Sequence, residues 1–280
     1  MHNRHLEEKN LKLKRYGFVG MLAVVLLLAS LRPGVIFAER QHPEEEAGGN
    51  EYEVCTLNHL REECWERDGN FLTYTEDGYT TQIGVDVSKW NGDIDWDSLW
   101  EQGVEFAIIR IGFRGYENGE LVLDDRFYEY LEGAINAGME VGVYFFSQAI
   151  DEEEAVEEAQ FVVDNLYGFQ LDLPIYFDTE EVAGSEARTD YLLTANYTLN
   201  AEAFCQAIEE AGYQAGVYAS QGWIRRNLDL SLLSDYEIWY AMYGSTPGRE
   251  YGFDMWQYTE EGDFYGCDTY LDLNVRVERE

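Results

Sequence analysis

The chain has 280 residues, of which 55 are acidic and 19 are basic, so its formal net charge is -36. A field of this sign repels phosphate backbones and excludes nucleic-acid binding by long-range attraction. Any other anionic polymer would have to be recognised through local contacts. Aromatic residues make up 15% of the chain, which is typical of surfaces that stack on flat ligands such as sugar rings.

The first 38 residues have the arrangement of an export segment. Five basic side chains precede an apolar run from Gly17 to Leu31, and a second, shorter apolar stretch ends at Ala38. This pattern fits either a signal peptide cleaved after Ala38 or a short uncleaved membrane anchor. In both cases the basic flank stays in the cytoplasm, so we expect the rest of the chain outside the cell.

Residues 39–80 are acidic and polar, which predicts a solvated spacer between the membrane and the next domain. Four cysteines in an exported chain allow three pairings. Cys55 with Cys64 is favoured because it closes a short loop, whereas Cys205 lies in an apolar helical pattern and is expected to be a buried thiol. The pairing of Cys267 stays open. The spacing of Cys and His does not suggest a metal site.

Residues 81–280 form the predicted catalytic domain, with short apolar runs bounded by Gly, Asp and Asn. Eight such runs occur, at residues 83–88, 106–112, 140–147, 173–180, 213–220, 237–244, 253–259 and 269–274. Eight strands can close a barrel. Helical patterns separate the first five runs, but too few residues for a helix separate the last three. The fold class is therefore α/β, a modified TIM-like barrel of the type (β/α)5β3.

The fourth run ends in Tyr176-Phe177-Asp178-Thr179-Glu180. Because side chains alternate along a strand, Tyr176, Asp178 and Glu180 are predicted to face the same way. Adjacent carboxylates disfavour each other's ionisation, so one of them tends to keep its proton near neutral pH and can act as a general acid. Cleavage of a glycosidic bond needs such an acid.

Two further acids fall at matching places in the predicted barrel. Asp86 ends the first run, and Asp272 lies in the eighth, which adjoins the first when the barrel closes. Each could equally be a turn or capping residue, but their agreement on one barrel end favours a functional role. Arg110 in the second run is the predicted counter-charge and substrate contact.

Aromatic residues within the strands could floor a sugar-binding groove. The candidates are Tyr144, Phe146, Tyr176, Tyr218, Trp239 and Trp256. Most aromatic residues in strands belong to the core, so we expect about half of the six to contact ligand.

Seven motifs occur in a fixed order along the domain. They are GVDVSKWNGDIDW (84–96), FAIIRIGFRG (106–115), GVYFFS (142–147), PIYFDTEE (174–181), GVYAS (216–220), WQYT (256–259) and DLN (272–274). Together they resemble the glycoside hydrolase family 25 lysozymes, also called Chalaropsis-type muramidases. The resemblance covers residues 83 to about 276. It implies a (β/α)5β3 barrel that hydrolyses the β-1,4 bond between N-acetylmuramic acid and N-acetylglucosamine in peptidoglycan, without a cofactor.

The resemblance also implies roles for the four acids. By motif position Glu180 resembles the general acid, Asp178 the carboxylate that helps the substrate's own acetamido group to attack, and Asp86 and Asp272 the supporting acids. The sequence leaves retention and inversion of the anomeric carbon open. One departure is the segment EEGDFYGCDTY (260–270), where a neutral, Gly-rich turn is expected.

Three functions remain to be separated. The first is an active muramidase that acts on peptidoglycan glycan strands as a monomer, in the cell wall or on the outer side of the cell membrane. The second is a membrane-tethered peptidoglycan-binding protein that has lost turnover. The third is an acidic secreted carbohydrase that acts on another N-acetylated polymer, such as chitin.

Overall fold

The structure, a computed structural model, describes residues 57–182, 184 and 186–279. The predicted export segment, the first part of the predicted spacer and Cys55 lie outside these residues, and so does the predicted pair of Cys55 with Cys64. Among the described residues no helix is both long enough and apolar enough to span a bilayer.

The described residues form eleven strands and five α-helices. The strands are β1 (Trp65–Asp68), β2 (Phe71–Tyr74), β3 (Tyr79–Val87), β4 (Phe106–Arg114), β5 (Leu121–Leu123), β6 (Glu140–Phe146), β7 (Ile175–Asp178), β8 (Ala215–Ser220), β9 (Glu237–Ala241), β10 (Met255–Gly262) and β11 (Leu271–Arg279). The helices are α1 (Trp96–Glu101), α2 (Phe127–Ala137), α3 (Glu152–Leu166), α4 (Thr194–Glu210) and α5 (Gln221–Asn227).

Eight of these described strands close into a barrel in the order β3, β4, β6, β7, β8, β9, β10 and β11, and β11 pairs back onto β3. Neighbouring strands are parallel from β3 round to β10, whereas β11 runs antiparallel to both of its neighbours. The five helices follow the first five barrel strands, and none of the described helices separates β9, β10 and β11. The predicted eight-stranded α/β barrel is confirmed for the described residues.

Helix ends follow the local chemistry of the sequence. Asp95 caps α1, because its side chain accepts a hydrogen bond from the backbone N–H of Ser98 at 3.0 Å. Asp151 caps α3 in the same way through Glu154, also at 3.0 Å. Helix α2 ends at Gly138, whose φ of 95° lies in the left-handed region that glycine adopts without strain.

Alternation along the barrel strands separates two apolar clusters. Outward-facing residues such as Val85, Phe177 and Val217 pack in the large core beneath the helices. Inward-facing residues fill the barrel in a smaller cluster of Phe106, Ile108, Leu173, Tyr176, Tyr218, Trp239, Ala241 and Met255. Gly84 makes room for one of these rings, because a Cβ there would lie 2.2 Å from Phe106. The barrel interior is therefore packed, and polar chemistry is confined to its ends.

The hairpin of β1 and β2 covers strands that no described helix covers. The Trp65 ring packs edge-on against Trp256 of β10 with centroids 5.2 Å apart, and β2 lies against β3 and β11. Leu72 and Tyr74 of β2 are buried. The structure therefore corrects the prediction of a solvated spacer for residues 57–80, because this segment supplies apolar surface to the core.

The predicted buried thiol is observed at Cys205 on α4. Its side chain is buried, and its Sγ lies 3.5 Å from the carbonyl oxygen of Gly216, to which it donates. Burial raises the pKa of this thiol well above its usual range, so it stays protonated and behaves as a small apolar side chain. Cys267 is half-buried in the loop between β10 and β11.

Candidate active site

The four predicted acids lie at one end of the barrel. Asp86 is near the end of β3, Asp178 is the last residue of β7, and Glu180 follows in the loop. Asp272 stands at the beginning of β11 and pairs in register with Asp86. Because β11 runs antiparallel to its neighbours, its first residues join the last residues of the parallel strands.

Strand β7 is shorter than the sequence predicts, and this changes how Glu180 is held. The strand ends at Asp178. Thr179 still points outward, where its Oγ1 accepts a hydrogen bond from the indole N–H of Trp223 at 3.1 Å. Glu180 is partly buried in the loop beyond. The pair of acids is therefore divided between a rigid strand end and a loop.

Asp86 is the centre of a buried hydrogen-bond network. Its Oδ2 accepts from the amide of Gln257 and from the amide of Asn274, each at 2.8 Å. The Asn274 carbonyl accepts from the indole N–H of Trp239 at 2.8 Å, and the Gln257 carbonyl accepts from the hydroxyl of Tyr218 at 3.1 Å. Because the carbonyl of each amide is held by a donor on its other side, the NH2 group of each amide is turned toward Asp86 and donates one hydrogen bond to it.

Burial raises the pKa of all four acids, because it disfavours the charged form. Burial raises the pKa of Asp86 to about 6, although the two amides that donate to it work in the opposite direction. Burial, followed by the charge of Asp86, raises the pKa of Glu180 to about 7 and that of Asp272 to about 9. The pKa of Asp178 lies well above its usual range through burial and the charge of Glu180. The cluster therefore holds protons near neutral pH.

Arg110 acts on this cluster from the side. Its Nε donates to Asp124 Oδ2 at 2.8 Å, and Asp124 is buried. The guanidinium charge lowers the pKa of Asp178, opposing the effect of burial. Arg110, the predicted counter-charge, is therefore close enough to act on the acids. Its guanidinium is held in place by Asp124 and not by the acids themselves.

Comparison with known proteins matches residues 85–267 to the family described as glycosyl hydrolases family 25. The chain belongs to this family. The resemblance inferred from the seven motifs is confirmed.

Relatives and solved structures of this family differ in how much of the chain they share. The autolytic lysozyme of Clostridium acetobutylicum is 26% identical over 192 residues, which are 68% of this chain and 54% of the relative. Lysozyme M1 of Streptomyces globisporus is 33% identical over 100 residues, which are 35% of this chain and 32% of the relative. The chain thus spans about half of the first relative's length and a third of the second's.

Among solved structures, a family 25 glycosyl hydrolase from Bacillus anthracis has a TM-score of 0.60 at 25% identity, over 75% of this chain and 94% of that one. The modular autolysin LytC from Streptococcus pneumoniae, in complex with a synthetic peptidoglycan ligand, has a TM-score of 0.62 at 23% identity, over 75% of this chain and 51% of that one. This second likeness shows a shared fold.

Six aromatic residues were predicted to line a sugar-binding groove, and in this family 25 chain three of them lie near the mouth of the barrel. Tyr144 and Phe146 point inward from the end of β6 and are partly buried. The Tyr218 hydroxyl reaches Gln257 beside Asp86. These three can border a ligand.

The other three are buried where a ligand cannot stack on them. Tyr176 and Trp256 expose 0% of their surface and Trp239 exposes 1%. Tyr176 points toward the other end of the barrel, where its hydroxyl donates to Glu237 at 3.0 Å, and Trp256 faces outward onto Trp65. The structure therefore corrects the prediction that these three are substrate contacts. Trp239 still affects the site through its hydrogen bond to Asn274.

Several residues that contribute to the site were not predicted from the sequence. Gln257 and Asn274 donate to Asp86, and the half-exposed Tyr243 donates to the Gln257 carbonyl at 3.3 Å. The signal was present: Asn274 shares a strand face with Asp272, and Gln257 is a polar residue inside an apolar strand. What the sequence lacks is the register that brings these strands onto Asp86.

A second network of charges lies behind the loops that surround Glu180. Arg114 and Glu158 form a buried ion pair with Nε and Oε1 2.8 Å apart, and Glu158 also accepts from the backbone N–H of Gln148 at 3.3 Å. Arg188, in the loop after Glu180, binds both carboxylate oxygens of Glu154 at 2.8 Å. Helix α3 therefore fastens the loop that follows β6 and the loop that follows β7.

Two cavities border the loop that carries Glu180. A small one of about 10 Å³ is lined by Glu180 together with Ser147, Gln148 and Thr189. A larger, open one of about 650 Å³ is lined partly by Glu181, Trp223 and Arg226. In the part of the chain that the structure describes, no group of three or more His, Cys, Asp and Glu side chains could hold a metal ion.

Proposed function

We propose that the protein is a peptidoglycan hydrolase, a lysozyme that cleaves the β-1,4 bond between N-acetylmuramic acid and N-acetylglucosamine. The observation that carries the proposal is the cluster of four acids at one end of the barrel, in which Glu180 has a pKa of about 7 and remains accessible. Family membership and relatives named lysozymes support this choice of substrate.

Glu180 is the proposed general acid. A carboxyl with a pKa of about 7 is still largely protonated in slightly acidic solution and can give its proton to the glycosidic oxygen as the bond breaks. Its position in a loop at the mouth, partly exposed, lets a sugar reach it. The charge of Asp86 helps to keep the proton on Glu180 until the substrate is bound.

Asp178 is proposed to assist the attack by the substrate's own acetamido group. Within the described residues its Oδ1 is buried and has no hydrogen-bond partner, and a buried acceptor without a donor is unfavourable. The acetamido N–H of a bound sugar can supply that donor. Its carbonyl oxygen would then be turned toward the anomeric carbon and would displace the glycosidic oxygen, which takes the proton of Glu180. Water would then open the resulting oxazoline, and the two inversions would give net retention of configuration.

Asp86 and Asp272 are the proposed supporting acids. They are register partners on adjacent strands, and each affects the ionisation of the other. Asp86 is immobilised by two amide donors, so its charge acts on Glu180 from a fixed place. The pair sets the field in which the general acid works, without contact with the bond that is cut.

The test is digestion of purified peptidoglycan by the wild type and by a Glu180→Gln variant. We expect muramic acid at the new reducing ends, and a loss of rate on the order of 10² to 10⁴ in the variant, the usual contribution of a general acid. Glu181→Gln is the matched control, because Glu181 is the next acid along the chain but is exposed and pairs with Arg226. Equal rates for wild type and Glu180→Gln would overturn the assignment.

The same experiment separates the two alternative functions. Binding to isolated wall sacculi without release of reducing ends would indicate a peptidoglycan-binding protein that has lost turnover. Faster cleavage of chitin oligomers than of muropeptide-bearing glycan would indicate the other carbohydrase.

The proposal extends to location. The basic flank before Gly17 and the apolar run to Leu31 support export to the cell wall or to the outer side of the membrane. The mass of the mature protein recovered from cells tests cleavage after Ala38. Recovery of the full-length chain in the membrane fraction would instead indicate an anchor.

A further inference from the structure

Two exposed aromatic rings border the proposed active site and have no part in the proposed chemistry. Trp90 is 74% exposed and Tyr270 is 62% exposed. Trp90 follows Asp86 by four residues, and Tyr270 precedes Asp272 by two. Because Asp86 and Asp272 are register partners on adjacent strands, both aromatic residues lie on one side of the mouth of the barrel.

One residue, Asn91, fixes the backbone beside both rings. Its side-chain carbonyl accepts from the backbone N–H of Ser88 at 2.8 Å, and its amide donates to the carbonyl of Tyr270 at 3.4 Å. The hydroxyl of Thr269 donates to the Asn91 carbonyl at 3.2 Å. The two segments that carry Trp90 and Tyr270 are therefore held against each other before any ligand binds.

The loop at residues 263–270 is held in place along its length. It belongs to the segment that departs from the expected Gly-rich turn. The carbonyl of Gly266 accepts from the backbone N–H of Asp95 at 2.9 Å. Asp268 accepts through its side chain from the N–H of Asp93 at 3.0 Å and donates its own N–H to the Asp93 carbonyl at 3.2 Å. These hydrogen bonds restrict the backbone of the loop that carries Tyr270.

A row of aromatic and cationic groups joins Trp90 to the acids. The Lys89 ammonium lies 5.4 Å from the ring centroid of Trp90 and 5.9 Å from that of Phe113. The Arg110 guanidinium lies 5.5 Å from the centroid of Phe113, and its charge acts on Asp178. These groups therefore lead from the Trp90 ring toward Asp178 at the proposed site of cleavage.

We propose that Trp90 and Tyr270 form a stacking platform for sugar rings of the glycan strand that lie beyond the bond to be cut, so that long strands bind more tightly than short ones. Aromatic faces bury the C–H faces of sugars, and groups fixed in advance lose little entropy on binding. A chain with a net charge of -36 gains from contacts that need no charge attraction. This inference rests on the proposed function, because it assumes that the strand crosses the four acids.

The platform is tested by binding, with turnover switched off by Glu180→Gln in every protein. The probes are peptide-free glycan strands, released from peptidoglycan by an amidase and separated into short and long fractions. Trp90→Ala and Tyr270→Ala should each weaken binding of long strands by about 3- to 10-fold, the range for one aromatic contact, and leave short strands unchanged. Trp90→Phe, which keeps a ring, should retain most of the affinity.

Tyr265→Ala is the matched control. Tyr265 is in the same loop and is 85% exposed, but its backbone N–H and carbonyl bind Gln102 at the end of α1. Its removal should leave both fractions unaffected, and thermal melting of every variant should match that of the parent. Equal loss for short and long strands, no loss in either variant, or failure of the parent protein to bind strands would each overturn the platform. Strands that the parent binds, but that the protein with Glu180 intact does not cut, would overturn the proposed hydrolysis alone.

Discussion

The two sides of the barrel wall contribute different chemistry to the site. The strands followed by helices deliver acids at their ends, with Asp178 on β7 and Glu180 in the loop beyond it. The strands without helices deliver one acid, Asp272 at the beginning of β11, and two amides from within the strands, Gln257 on β10 and Asn274 on β11, which both donate to Asp86. The group proposed to transfer a proton thus lies in a loop, and the amides that hold the charge of Asp86 lie within strands.

The two sides are also covered differently. Parallel strands need apolar cover on both faces. The helices provide it for the first five strands, and the small hairpin with Trp65 and Leu72 provides it where no described helix lies. The short hairpin therefore covers the outer face of these strands, as a helix covers the others.

The largest effect on stability is expected on the helical side. Glu158→Ala should lower the free energy of unfolding by about 3 to 5 kcal/mol, because it leaves the buried Arg114 without its closest partner. Glu157→Ala removes a more exposed partner of the same guanidinium and should lower it by less than about 1 kcal/mol. Urea titration measures both. Similar values for the two variants would mean that the buried pair does not matter more than the exposed one.

On the side without helices, Leu72→Ala should lower the free energy of unfolding by about 2 to 5 kcal/mol, the usual range for a buried leucine. Leu57→Ala, at a half-exposed leucine before the hairpin, should have a much smaller effect. Guanidinium titration of both variants tests whether the hairpin belongs to the core. A small effect at Leu72 would restore the prediction of a spacer.

A smaller effect is expected for an amide at the site. Gln257→Leu removes one of two donors to Asp86, which should raise the pKa of that carboxyl above about 6 and lower the free energy of unfolding by about 1.5 to 3 kcal/mol. Carbon NMR of the Asp86 carboxyl during a pH titration measures the shift. Gln221→Leu, which removes an exposed hydrogen bond to Glu250, is the control and should leave that pKa unchanged.

The pH dependence of stability is expected to show the smallest change, because other acids titrate at the same time. An acid whose pKa is raised on folding binds its proton more tightly in the folded state, so it favours folding most at low pH. Stability should then fall as pH rises from about 4, the ordinary value, through about 7 for Glu180 and about 9 for Asp272. Melting temperatures of Glu180→Gln across this range should fall less steeply than those of wild type. A parallel decline would contradict the raised pKa.

The sequence predicts the barrel because its signals are local. Alternation and run length locate the eight strands to within a few residues, and the caps Asp95 and Asp151 locate the starts of two helices. The same alternation also predicts the direction of Trp256. It is next to the inward-facing Gln257 and must therefore face outward.

The rest depends on contacts between distant segments. The amides that bind Asp86 are brought to it by the register of β10 and β11, which is interrupted by irregularities that no single segment reveals. The burial of Tyr176 depends on how deep it lies in the barrel. The hairpin strands are only four residues long, and three of the four residues of β1 are charged, so the packing of Trp65 on Trp256 leaves no periodic signal.

The antiparallel pairing of β3 with β11 also has a mechanical consequence. Eight residue pairs join the two strands, from Asp86 with Asp272 at the mouth to Tyr79 with Arg279 at the opposite end. A force that separates residues 79 and 279 would load these pairs one after another, as in a zipper, and not all together in shear. We expect the barrel to open at low force from its base, with the acidic cluster the last part of this seam to separate; a single abrupt rupture at high force in an optical trap would contradict this.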